Sequence, residues 1–197
     1  MTLKSDILEC SITNFTKFGS KRFTLDELAE VMGISKKTIY KHFKNKEELV
    51  AESLSVLVEK YTTEINEVIQ DNIDDPILCI ILIYERGFEY LRYFKPSFLF
   101  GIKKYYPKAD QVFANFSETF VFEIVYKLLQ SAQENGHVKS GVNLKLVCEL
   151  YFLRIDAIAF RNNNLFDIYN KREILNHLIV YNLRGFTEPN YSNPYFE

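Results

Sequence analysis

The stretch FTLDELAEVMGISKKTIYKHFKNKEEL, Phe23 to Leu49, carries three helix starts in quick succession. Thr24 followed by Glu27 is a T-x-x-E capping box, in which the Thr hydroxyl and the Glu carboxylate each satisfy a backbone N–H at the helix start. The short helix runs through Leu28, Ala29, Val31 and Met32, and Gly33 ends it where the chain needs a positive φ. Ser35 caps a second helix to about His42, with Ile39 and Phe43 one turn apart. Asn45 opens a third, with Glu47 and Glu48 at the positive end of its dipole. Ser35 does the reverse, since Lys36 and Lys37 occupy the first turn at a cost of about 0.3–1 kcal/mol each when exposed. That inversion asks what approaches this helix end.

Upstream, Leu3, Ile7, Leu8, Ile12, Phe15 and Phe18 recur at helical spacing until Gly19. Downstream, the helix from Asn45 keeps an apolar face to about Asn72, and Asp74-Asp75-Pro76 restarts the chain toward Phe94. Lys95-Pro96-Ser97 breaks it, short pieces run from Phe98 to Tyr105, and Pro107 begins a helix that stops at Gly136. Two more span about Leu144 to Phe160 and Arg172 to Phe186, and EPNYSNPYFE closes the chain as an extended tail. With 7 Gly and 5 Pro in 197 residues and no β-alternation, the expected fold is all-α, about nine helices in all. Residues 1–46 form a three-helix domain, the fourth helix bridges, and 47–197 make a larger C-terminal helical bundle.

Charge is unevenly placed. The net charge of -2 disfavours a protein that coats nucleic acid. Between Ser20 and Lys46, however, 7 basic residues stand against 3 acidic ones, enough to act on a polyanion locally. Cys10, Cys79 and Cys148 form no C-x-x-C pair and lie in apolar helical patterns, which reads as buried thiols in a reducing cytoplasm. His42, His137 and His177 are scattered, so no metal site or cofactor is expected. The start lacks a secretory h-region, no apolar run reaches membrane-spanning length, and no nucleophile–base spacing or phosphate-cradling glycine loop suggests an enzyme.

Helix, glycine turn and helix make a helix-turn-helix. With Ile39 and Phe43 inward, Lys36, Lys37, Tyr40 and Lys41 face outward, and the unfavourable dipole contacts are repaid when DNA phosphates stand opposite the helix end. The segment resembles the DNA-binding portion of the TetR family of bacterial transcriptional regulators, on Thr24, Ala29, Gly33, Ser35, Thr38, Tyr40, His42, Phe43, Lys46, Glu47 and Leu49. The resemblance covers about residues 3–55. It implies that Thr24, Tyr40, His42 and Lys46 contact phosphate in double-stranded DNA. It also implies that Lys36, Lys37, Thr38 and Lys41, behind the Ser35 cap, lie nearest the base edges.

The resemblance further implies a C-terminal domain that dimerises and holds a small effector. A homodimer on a palindromic operator follows, because two half-sites multiply affinity. The interface is expected on the last two helices, at Tyr151, Arg154, Ile158, Arg161, Leu175, Leu178, Ile179 and Asn182. Tyr84, Phe88, Phe100, Phe116, Phe120 and Tyr126 are the candidates for a small hydrophobic or aromatic effector, although aromatics at helical spacing more often form core. The expected function is a homodimeric repressor released by that effector. The alternative is a DNA-binding protein whose C-terminal domain binds a protein partner.

Overall fold

Thr2 opens the first helix, its hydroxyl accepting from the Ser5 N–H, and Gly19 (φ 91°) closes it by donating to the Phe15 carbonyl. The computed structural model describes residues 2–93, 96–160 and 165–196, and among these the chain is helical throughout with no β-strand. In chain order the helices are α1 (Leu3–Phe18), α2 (Leu25–Met32), α3 (Lys36–Tyr40), α4 (Lys46–Asp71), α5 (Pro76–Tyr93) and α6 (Pro96–Tyr105). They continue as α7 (Pro107–Thr119), α8 (Tyr126–Glu134), α9 (Leu144–Phe160), α10 (Leu165–Ile168), α11 (Lys171–Leu175) and α12 (Tyr181–Phe186). Two π-helical turns, Phe120–Val125 and Asn176–Val180, join α7 to α8 and α11 to α12, so each pair is one continuous rod. Counted that way there are ten rods among the described residues, against about nine expected, and the extra one is the single turn α10.

The starts read from the sequence lie where their chemistry puts them. Asn45 Oδ1 accepts from the Glu48 N–H at 2.9 Å, Asp75 Oδ1 from the Leu78 N–H at 3.0 Å and Asn143 Oδ1 from the Leu146 N–H at 3.1 Å. Asn170 and Glu173 form a further capping box. No helix of the described residues is long and apolar enough to cross a membrane.

The chain divides into two compact units. The first comprises Met1–Tyr61 and Tyr93–Phe116, the second Thr62–Arg92 and Ser117–Glu197. In the first, Ile7, Phe15, Leu28, Ile39, Phe43, Leu49 and Leu54 are buried together with Phe98, Leu99 and Ile102 from α6, which packs on α1. Two contacts seat that later segment. The Tyr106 hydroxyl donates to the Ser20 carbonyl in a buried hydrogen bond of 3.1 Å, and Gly101 approaches so closely that a Cβ there would lie 2.8 Å from Ser20 Oγ.

The second unit is built on Ile80, Ile81, Tyr84, Phe88, Val121, Leu129, Leu175 and Val180. Its C-terminal tail is packed down: Tyr191 stacks on His137 with centroids 4.8 Å apart and donates to Asp75 at 2.6 Å, Tyr195 donates to Glu85 at 2.7 Å, and Phe196 is buried. Cys79 and Cys148 are buried and burial pushes both thiols up to about 11, whereas Cys10 is only partly covered.

Removing the Tyr106 hydroxyl leaves the Ser20 carbonyl without its buried donor, so Tyr106→Phe is expected to destabilise the first unit by about 1 kcal/mol. A urea midpoint equal to that of the unsubstituted protein would show the bond contributes nothing.

Candidate nucleic-acid interface

Gly33 adopts φ 64°, ψ 29°, and the turn closes with its N–H donating to the Glu30 carbonyl and the Ile34 N–H to the Ala29 carbonyl. Ser35 Oγ accepts from the Thr38 N–H at 3.1 Å and lies 2.8 Å from Thr38 Oγ1, so these two hydroxyls fix the first turn of α3. Behind it, Ile39 and Phe43 are fully buried. In front, Lys36, Lys37, Tyr40, Lys41 and His42 are exposed, and Thr38 is half-buried between the two sides. A five-residue helix thus presents one apolar and one cationic flank.

Electrostatics refine this picture. Lys36 Nζ lies 2.8 Å from Asp26 Oδ2, and that hydrogen bond raises the Lys36 pKa above its ordinary value. Part of the inverted dipole contact is therefore offset inside the protein, by an acid on α2 that local spacing marks only as a first-turn residue. Lys37 and Lys41 have no ion pair among the described residues. Thr24 is exposed, but its N–H (2.6 Å) and hydroxyl (2.8 Å) both donate to Glu27 Oε2, which holds the Glu27 pKa below the usual range.

Lys46 departs most from the expected phosphate contact. Its ammonium turns inward, donating to the Lys21 carbonyl at 3.2 Å and lying over the rings of Phe15 (5.7 Å) and Tyr106 (5.9 Å). Desolvation lowers its pKa. This places the charge where it anchors the turn before Thr24 rather than on the open face.

In the second unit, three of the six candidate effector aromatics form one cluster. Tyr84 meets Phe120 (5.3 Å), Phe88 (6.3 Å) and Tyr151 (5.7 Å), and Phe88 meets Phe166 (6.0 Å). Tyr126 is half-buried. Phe100 and Phe116 belong to the first unit, where Phe100 is exposed and Phe116 sits edge-on to Tyr61.

The expected dimer residues need correction. Tyr151, Leu175 and Ile179 are buried in the chain's own core, Tyr151 edge-on to Tyr84 of α5. Arg154 donates to Asn182 Oδ1 at 2.9 Å and to the Leu178 carbonyl at 3.4 Å, and all three are partly exposed. The side chain of Ile158 and the whole of Arg161 lie outside the described residues. The sequence reading placed Leu150 in the interface stripe but passed over its neighbours on the opposite face of α9: Leu146, Leu150 and Leu153, spaced four and three apart, are 51%, 44% and 62% exposed. The signal was available, since LKLVCELYFLRIDAIAF carries apolar residues on two faces, with Lys145 and Glu149 confined to the strip between them.

A capped recognition helix with buried apolar anchors, behind a left-handed glycine turn, defines a helix-turn-helix transcriptional regulator. The model of the bacterial regulatory proteins of the tetR family matches residues 7–53. YhgD of Bacillus subtilis (strain 168), an uncharacterized HTH-type transcriptional regulator, is 37% identical over 70 residues. That match covers 36% of this chain and spans only 37% of the relative's length. Among solved structures, reduced E. coli NemR superposes with a TM-score of 0.74 at 15% identity, over 95% of this chain and 99% of its own. SmeT, the repressor of the Stenotrophomonas maltophilia multidrug efflux pump SmeDEF, gives 0.71 at 15% identity over 98% and 95%. A TetR-family regulator from Agrobacterium tumefaciens gives 0.70 at 17% over 94% and 97%. Residues 7–53 thus match the DNA-binding portion of the tetR family, and the chain shares the all-helical fold of solved TetR-family regulators.

Ser35→Ala removes the only side-chain cap of α3 and is expected to cost about 0.5–2 kcal/mol, with faster amide exchange at Ile39, while Ser35→Asp keeps the cap. Equal exchange in all three proteins would mean that the cap does not hold the helix.

Proposed function

We propose that this protein is a homodimeric repressor that binds a palindromic operator in double-stranded DNA and is released by a small hydrophobic or aromatic effector. The observation that carries the reading is the division of α3 into a buried Ile39/Phe43 flank and an exposed flank of Lys36, Lys37, Tyr40 and Lys41. The exposed flank has the size and donors to enter a major groove, where lysines reach guanine edges and Tyr40 a phosphate. Thr24, His42 and the α3 amino end complete a phosphate-facing rim, with Lys46 supporting the turn behind it.

Dimerisation is supported by the exposed leucines of α9. A helix with two apolar faces buries one in its own unit and needs cover for the other, and a second copy supplies an identical stripe across a two-fold axis. The partly exposed Leu178 and Asn182 lie beside it, bonded to Arg154. Repression, as opposed to activation, is supported by the structural likeness to SmeT, itself a repressor.

The effector reading rests on the aromatic cluster. Tyr151 is buried within it and its hydroxyl has no hydrogen-bond partner among the described residues, a polar handle for an apolar ligand carrying an acceptor oxygen. Burial drives the Tyr151 pKa upward, so the hydroxyl stays a neutral donor. Release then requires that the ligand prefer the form that fails on DNA, by roughly 10⁴-fold for a complete switch. The helix α4, which contributes to both units, is one of the covalent links through which that preference can act, with α5 and α7.

Genomic site selection with purified protein should return an inverted repeat. On that operator, Lys37→Ala is expected to weaken binding and shift the preferred base at one position, Tyr40→Ala to weaken it uniformly. Each lost phosphate contact should reduce the slope of log K against log salt by about 0.9, whereas Lys46→Met leaves the slope unchanged. Unaltered operator affinity in both Lys37→Ala and Tyr40→Ala would rule out this docking. Separately, Leu150→Glu with Leu153→Glu should convert dimer to monomer in sedimentation, and persistence of the dimer would exclude the α9 stripe.

A further inference from the structure

The first unit carries a second feature that the helix-turn-helix does not use. The last turn of α1, the turn before Thr24 and helix α6 enclose a solvent-open cleft of about 520 Å³, walled by Phe18, Phe100 and Tyr105 and edged by Lys21 and Arg22. That volume lies in the range of small-molecule sites, about 300–1,000 Å³. The three rings are 40%, 56% and 38% exposed, an unusual concentration of uncovered aromatic surface in one place.

The cations around it are turned to rings in place of carboxylates. Lys21 Nζ stands 3.9 Å from the Tyr105 centroid, and Lys104 Nζ 5.4 Å from both Phe100 and Tyr105. Among the described residues, Lys21, Arg22 and Lys104 have no salt bridge, and no acid lines the cleft. Glu27, the carboxylate that feels Arg22, is already held by the Thr24 N–H and hydroxyl. The nearby ammonium groups, Lys21 first and then Lys104, hold the Tyr105 phenol below its ordinary pKa. Gly101, which also lines the cleft, lets α6 rest against Ser20, so the wall that carries Phe100 and Tyr105 is seated close to the turn before Thr24.

We propose that this cleft is a binding site for a small organic anion with a flat apolar body, such as an aromatic carboxylate: the body lies against Phe18, Phe100 and Tyr105, and Lys21, Arg22 and Lys104 take the charge. Aromatic walls select against inorganic anions, which would leave the rings wet, and the three cations select against neutral aromatics. The site is independent of the aromatic cluster around Tyr151 and of whether the protein represses transcription. A duplex backbone would use the same cations but would leave the rings uncovered.

The test uses the full ¹⁵N-labelled chain without DNA, titrated with sodium 2-naphthoate and, in parallel, with neutral 2-naphthylmethanol. Saturable amide shifts at Gly19, Lys21 and Gly101 are expected, with affinity for the alcohol lower by roughly tenfold or more, the worth of a charge-assisted hydrogen bond. Lys21→Gln with Arg22→Gln should abolish the preference for the anion, and Phe100→Ala, at an exposed position that folding does not need, should weaken both compounds. The backbone spectrum of each variant reports that it is folded. Absence of saturable shifts, equal affinity for acid and alcohol, or shifts confined to residues around Tyr84 and Tyr151 would overturn the proposal. So would a short non-operator duplex that moves these amides when naphthoate does not, since the cleft would then belong to the phosphate backbone.

Discussion

Burial of Ile39 and Phe43 is the contact on which the first unit's function depends. Helix α3 has five residues, far below the roughly 12–15 at which an isolated helix becomes marginal in water. Its stability comes from the two anchors, each contributing about 1.5–3 kcal/mol on full burial, and from the Ser35 cap. Because both anchors point one way, the remaining positions must point the other, and Lys37, Tyr40 and Lys41 are exposed as a geometric consequence. The cationic flank can be rewritten for another operator without disturbing what holds the helix.

The same unit recruits chain from far downstream. Helix α6 and the start of α7 fold with α1 to α4, where Tyr106 bonds the Ser20 carbonyl, the Lys108 N–H donates to Glu47 at 3.5 Å and Lys46 fastens the Lys21 carbonyl beneath the Tyr106 ring. The Tyr106 and Lys46 contacts converge on the short turn 19–23 that precedes α2. A three-helix domain of about 45 residues would bury too little apolar surface to be robust by itself, and the added segment enlarges its core with Phe98, Leu99 and Ile102.

What could be read from the sequence were the features governed by local chemistry. Thr24 with Glu27, Ser35, Asn45 and Asp75 each satisfy N–H groups within one turn, and Gly33 answers a steric demand of its own residue, so neighbours in sequence suffice to place them. Through-space choices were not legible. Lys36 pairs with an acid ten positions earlier, Lys46 turns toward a carbonyl on another segment, and Phe100 joins α1 instead of the aromatics of α5. On α9 the sequence offers two apolar faces, and choosing the inner one requires knowing which side meets Tyr84.

That ambiguity itself carries physical content. A helix facing water on one side accumulates charge there, and α4 does so with Glu59, Lys60 and Glu67. On α9 the exposed positions include Leu146, Leu150 and Leu153 beside Lys145 and Glu149, so this leucine stripe gains little from the chain's own folding. Among the described residues Lys37 and Lys41 lack ion pairs in the same way that these leucines lack cover on α9. Charge without a counter-charge and apolar surface without cover are costs to a solitary chain, and the two lie on the faces that the proposed DNA and dimer contacts would use.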